Sequence, residues 1–300
     1  MKYQGEIFVS TGAFGRVDLE DTLKLALREN ISHIELSSGA KHRSSNLSAM
    51  LASIDETAMR FLIHNYFPVP TRPFVLNLAS DDEEMLQKTR EHCKLAIDLA
   101  AEVGSPFYSV HAGFCIHLRP EDLGNQLHGK EISKVKAKEI FFESVKMLGE
   151  YAAKKGVIVA IENNVASAFN LREGRNDLLL GVTGDDLQEL MQVVDMENVR
   201  LLLDVAHLRV SANSLGFDSV EAIKQIAQWI IACHLSDNDG QTDSNEVLTA
   251  QSWFWEPLAM YLTATPVWIL EVYEITPAVI HEQLDLIRSE FGRIKSSLVN

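Results

Sequence analysis

One pattern recurs along this chain and narrows the folds open to it: a short apolar, β-branched run that closes on side chains able to bind a metal. Arg200-Leu-Leu-Leu-Asp-Val-Ala-His207 shows it most plainly. Leu201 to Leu203 are too few for a helix and read as a strand covered on both faces, as in a parallel sheet. Asp204 and His207 then arrive where the buried strand must surface. Phe61 to Asn65, Tyr108 to His111, Val157 to Asn164 and Ile230 to Asp237 repeat the plan, and Val267 to Glu271 ends in one carboxylate.

Between these runs the spacing is helical. Asp18 to Asn30 carries Leu19, Leu23, Ala26 and Leu27 on one face, with Asn30 placed to close it in a left-handed conformation. A weaker helix is expected over Ser45 to Met59, after a second strand over Ile31 to Leu36 and a Ser37-Ser-Gly39 turn. Asp81 to Val103, Glu139 to Lys155, a helix N-capped by Thr183, Ser219 to Trp229 and a last stripe through Ile280, Leu284, Ile287, Phe291 and Ile294 complete the set. With Glu6 to Ser10 as first strand, this is strand then helix eight times over. Strict alternation leaves an open doubly wound sheet or a closed (β/α)8 barrel, and about 250 residues is typical of the barrel. The chain has 300 and no composition break that marks a linker, so a single α/β domain, a (β/α)8 TIM barrel over residues 1–300, is expected. Helix-to-strand joints are short, whereas the loops after strands four, five and seven are long. In a barrel these loops share one face, where active sites are built.

A net charge of −15 repels nucleic-acid phosphates, and no basic run offsets it; Lys130 to Lys138 is interleaved with Glu131 and reads as a solvated face. Cys93, Cys115 and Cys233 are sparse and lack zinc spacing, which suits a reducing compartment. The amino terminus shows no apolar signal core and no stretch is long enough for a membrane span. A cytoplasmic protein acting on a small molecule is expected, with a homo-oligomer left open.

At the shared face, Glu162, Asp204, His234 and Glu271 form the expected primary metal site. Three carboxylates and one imidazole without a thiolate favour a hard or borderline ion such as Mn²⁺, Mg²⁺, Co²⁺ or Zn²⁺. The alternative for each is a separate strand-end residue paired with Lys or Arg.

His64-Asn-Tyr, Val110-His-Ala-Gly113, Ile161-Glu-Asn-Asn164, Leu203-Asp-Val-Ala-His207, Cys233-His-Leu-Ser-Asp-Asn-Asp-Gly240 and Leu270-Glu271 resemble the xylose-isomerase-like barrel superfamily. That group includes ketose epimerases, inosose dehydratases and abasic-site endonucleases. The resemblance implies that Glu162, Asp204, His234 and Glu271 are the metal quartet of the epimerase branch, with Glu162 and Glu271 also the catalytic acid/base pair. Such an enzyme moves a proton through a metal-stabilised enediolate. Resemblance to the endonuclease branch makes His64 and His111 ligands of a second ion bridged by Glu162, with His207 and Asp243 helping to hold a third. That match breaks at Asn245, where the branch has a histidine.

The expected reading is thus a divalent-metal-dependent isomerase or epimerase of a small sugar, and the alternative a metal-dependent phosphodiesterase of the abasic-site endonuclease type. A metal-free glycosidase using Glu162 and Glu271 would leave His234 and Asp204 unexplained. Asn164, His111, His207 and Trp253 are candidate substrate contacts, although Trp253 also suits packing under a loop and His64 and His111 suit satisfied core positions. Asp237 and Asp239 read as a turn. His117, His128, Arg119 and Arg172 to Arg175 are candidates for an anionic group on the substrate.

Overall fold

The computed structural model describes residues 5–15, 18–37, 47, 50–51, 59–262, 264 and 266–298. Its eight strands are β1 (Ile7–Ser10), β2 (His33–Leu36), β3 (Arg60–His64), β4 (Phe107–His111), β5 (Ile158–Glu162), β6 (Val199–Asp204), β7 (Ile230–Leu235) and β8 (Val267–Leu270). Every neighbouring pair is parallel and β1 pairs with β8, so the sheet closes in sequence order. The (β/α)8 barrel expected from the alternation is the fold.

Described helices are α1 (Leu19–Arg28), α2 (Glu83–Glu102), α3 (Lys134–Ala153), α4 (Gly184–Val194), α5 (Val205–Leu215), α6 (Ser219–Ile226), α7 (Trp255–Tyr261) and α8 (Pro277–Leu298). They pack outside the sheet. Local signals behave as physics dictates: Thr183 accepts from the Asp186 amide at the start of α4, and Asn30 takes φ 60° after α1. Leu27, expected on the buried face of α1, is 40% exposed. Helix α3 starts at Lys134, five residues before the expected Glu139. The helix expected over Ser45 to Met59 lies mostly outside the described residues, as do Ser38 and Gly39 of the expected turn and the side chain of Ile294. No helix among the described residues is long and apolar enough to cross a membrane.

The two-residue side-chain period of a strand divides the barrel interior into layers. Phe8, Leu62, Phe107, Ala160, Leu202, Ala232, Val267 and Ile269 form one buried apolar cluster. One pleat further along, the same faces carry Ser10, His64, Ser109, Glu162, Asp204, His234 and Glu271. Glu35 occupies that level on β2. The apolar plug closes the barrel beneath, and the polar layer faces the post-strand loops. Those after β4 and β5 carry a small core of their own, made of Ile116, Leu127, Ala166, Leu178, Leu179 and Val182. Gly113 starts the first of these loops against residue 79, where an added Cβ would sit 2.5 Å from the Ala79 Cβ.

Candidate metal centre and active site

Four strands deliver the expected quartet to one place. Ligand atoms of Glu162, Asp204, His234 and Glu271 lie within 4.8 Å of one another, all on buried residues. The His234 Nδ1 is the hub: Glu271 Oε2 is 2.8 Å away, Glu162 Oε1 3.2 Å and Asp204 Oδ2 3.8 Å. Buried oxygens remain unmatched here, since neither Glu162 Oε2 nor Asp204 Oδ2 has a hydrogen-bond partner. Unpaired carboxylate oxygens converging in a buried layer are costly without a cation. The donor set and these orphaned atoms fit a divalent ion.

His64 and His111 stand on the other side of Glu162, whose Oε2 is 3.6 Å from the His64 Nε2 and 3.5 Å from the His111 Nδ1. These three form a second group with metal-compatible spacing. His207 is on α5. Its Nδ1 is 2.8 Å from the Asn163 carbonyl and its Nε2 3.1 Å from Asp243 Oδ2. Asn245, in contrast, turns its amide to the Glu271 carbonyl at 3.1 Å and to the Ser236 hydroxyl. The His207 and Asp243 pair therefore gains no third side chain from Asn245.

The electrostatics follow from burial and neighbours. Burial opposes the charge on Glu162, but the imidazoles of His111, His234 and His64 outweigh it and hold the carboxyl well below its usual value. Burial raises Glu271 to about 8 despite the pull of His234. Burial also raises Asp204, with His207 opposing. His234 and His207 are driven well above an ordinary imidazole: burial resists, but Glu271, Glu35 and Glu162 win at His234, and Asp204 and Asp243 at His207. Burial takes His111 down to about 4.

A cavity of about 600 Å³ opens above the layer. Of the quartet, Glu162 and Glu271 line it, while Asp204 and His234 sit behind with no exposed surface. His111, His207 and Asp243 line it too, and Tyr66, Phe114, Leu127, Phe169 and Tyr273 supply apolar wall.

Several expectations change. Asn164 borders the cavity, yet its amide nitrogen donates to the Ala112, Gly113 and Leu180 carbonyls, tying the β4 and β5 loops together. Only its oxygen is left for a substrate. Trp253 is absent from the cavity lining and packs edge-on against Phe254 instead. The loop cations expected to meet an anion are taken up by acids: His117 by Asp81, Arg119 by Asp122, Arg172 by Glu131 and Arg175 by Glu173. Asp239 serves its turn, accepting from the Gln241 and Thr242 amides, and Asp237 holds Arg209.

Sequence reasoning missed three features. Strand β6 does not run into a loop: α5 begins at Val205, and Asp204 caps it by accepting the His207 amide at 2.7 Å. One carboxylate thus offers Oδ1 to the helix and leaves Oδ2 toward His234. Glu35, fully buried, lies 3.0 Å from the His234 Nε2. Asn163 accepts from the Asp204 N–H at 2.8 Å and donates to its carbonyl at 3.0 Å, adding one side-chain rung to the β5–β6 ladder. A period-two reading of His33-Ile-Glu-Leu36 contained the signal for Glu35. An asparagine beside a strand end, by contrast, looks like any turn residue.

Comparison with known proteins follows the same lines. One curated relative, an uncharacterized protein of Methanocaldococcus jannaschii, is 28% identical over 170 residues, covering 57% of this chain and 50% of that protein. The chain therefore matches half the length of that relative. Among solved structures, a D-tagatose 3-epimerase-like protein superposes with a TM-score of 0.73 at 20% identity, covering 98% of this chain and 99% of that one. An L-ribulose 3-epimerase gives 0.69 at 14% identity, over 98% and 97%. The IolI protein, solved with a bound zinc atom, gives 0.66 at 15% identity, over 97% and 98%. At these identities the likeness speaks for the fold. Residues 23–260 match the sequence family described as the xylose isomerase-like TIM barrel, and the chain belongs to that family.

Proposed function

We propose that the protein is a divalent-metal-dependent isomerase or epimerase of a small sugar or sugar derivative. One observation carries the reading: the two members of the quartet that border the cavity are Glu162 and Glu271, the two suited to proton transfer at a substrate carbon. A divalent ion held by the quartet would supply positive charge to a carbonyl and its neighbouring hydroxyl when a carbon-bound proton is lost. Glu162 and Glu271 take that proton and return one from the other side, which inverts the carbon or moves the carbonyl. His111, His207 and Asp243 supply hydrogen bonds to substrate hydroxyls. The epimerase names of two fold neighbours and the zinc of a third support this assignment.

The test is deuterium incorporation from heavy water into a panel of ketoses and aldoses, read by NMR, with protein loaded with Mn²⁺, Co²⁺, Zn²⁺ or Mg²⁺ in turn. Among the described residues no Lys or Arg lines the cavity. The panel therefore includes free sugars and their phosphate esters side by side. No exchange with any sugar would sink the whole.

Metal uptake should release protons. In the ion-free chain the buried pair of Glu271 and His234, 2.8 Å apart, holds a proton above the range where a free imidazole has lost it, whereas a ligand must be deprotonated. Raising the pH from 6 to about 8 should tighten binding. Calorimetry in buffers of different ionisation heat measures the released protons, and a buffer-independent heat would contradict the assignment of these two groups as ligands.

The His64, His111 and Glu162 group favours a second reading, a phosphodiesterase holding more than one ion. Metal analysis after purification without chelator separates the two: one ion supports the isomerase or epimerase, two or three the phosphodiesterase.

A further inference from the structure

Glu35 belongs neither to the quartet nor to the cavity lining; it groups with His64 and His234 at metal-compatible spacing, level with the quartet and with no exposed surface. A buried carboxylate persists only where something compensates it. Among the described residues its one side-chain hydrogen bond is to His234, from Oε1 to Nε2 at 3.0 Å. The opposite nitrogen of the same ring, Nδ1, is the atom facing Glu271, Glu162 and Asp204. Beside it, the ring of His64 meets His234 edge-on, with centroids 5.0 Å apart.

A neutral imidazole has one lone pair to give and one N–H to place. With Glu35 accepting at Nε2, the proton is drawn to that nitrogen and the Nδ1 lone pair is left pointing into the quartet. A carboxylate behind a histidine also makes the ring a better donor to a cation, and loss of such a partner costs about 10–100-fold in metal affinity.

We propose that Glu35 is a positioning residue for the metal centre, fixing the tautomer and the ring plane of His234 through its Nε2–H; this rests on the reading of the quartet as a metal site. Thereafter its role is to the ion, not to the substrate. Loss of Glu35 therefore lowers zinc affinity and alters the state of His234, and activity at saturating zinc recovers in large part.

The test uses the full-length chain and Zn²⁺, with affinity measured by chelator competition and folding by circular dichroism and thermal melting. Glu35→Gln keeps size and an accepting oxygen without the charge, and Glu35→Ala removes both. The expected result is zinc binding weakened by about 10-fold or more in Glu35→Gln and further in Glu35→Ala. In ¹⁵N-resolved NMR of the zinc-loaded protein, the His234 proton should reside on Nε2 in the unsubstituted chain, with its downfield hydrogen-bonded signal lost in the alanine variant. Affinity within about two-fold of the original in Glu35→Gln, a fall that merely tracks loss of folded protein, or a proton found on Nδ1 would overturn the proposal. His234→Ala separates the two levels of the argument. If it binds zinc normally, the quartet reading fails; if it loses zinc while the Glu35 variants do not, only the positioning role fails.

Discussion

Glu162→Gln and Glu271→Gln should each abolish solvent-proton exchange into a bound sugar while the barrel stays folded. The amide matches the carboxylate in shape, so packing around both buried side chains is kept, but neither variant can accept a proton from carbon at neutral pH. Loss of one positioned acid or base costs about 10²–10⁴-fold. Both residues are also candidate ligands, so exchange must be measured with the ion saturating; the rate should then remain low while occupancy is restored. Glu162→Gln should be the more disruptive of the two. It removes the negative charge on which His64, His111 and His234 all bear, whereas Glu271 faces the cavity and contacts His234 alone among the site imidazoles. Exchange within about tenfold of the unsubstituted chain in either variant would remove that residue from the proton-transfer pair.

Asn163→Ala should produce the largest loss of stability among the residues around the site. Its side chain satisfies both the N–H and the C=O of Asp204, at a position with no exposed surface. The Asp204 N–H left without its acceptor costs about 1–3 kcal/mol, while its carbonyl keeps the first hydrogen bond of α5, so a loss of about 1–3 kcal/mol is expected in urea unfolding. Metal affinity should fall with it, because Asp204 is held in line by this rung. An unfolding midpoint unchanged from the original chain would show that the rung contributes nothing.

The barrel was legible because eight short apolar runs could be counted and their polar closures compared. The quartet was legible for the same reason: each member ends a strand, and a parallel barrel brings all strand ends to one pole. Helix α5 was not. Val205, Ala206, Leu208, Val210 and Ala212 are buried on several sides, so the segment has no clean polar face to set a helical stripe against, and the strand reads as surfacing into a loop. Glu35 escaped because β2 is only four residues long and one carboxylate in it carries little weight by itself. Asn164 and Trp253 misled for a different reason. An amide or an aromatic near a strand end suits a ligand equally well until the backbone carbonyls or rings it meets are known.

The candidate ion-binding side chains rise from β-strands and from the helix joined without a loop to β6, whereas the wall containing Phe114, Leu127 and Leu179 belongs to loops with a separate small core. The two parts are thereby free to diverge at different speeds. Mutations that reshape the wall alter the space above the polar layer, and the strand-borne cluster beneath is inherited unchanged. A scaffold divided in this way lends itself to directed evolution of substrate range, with libraries confined to residues 114–133 and 165–183.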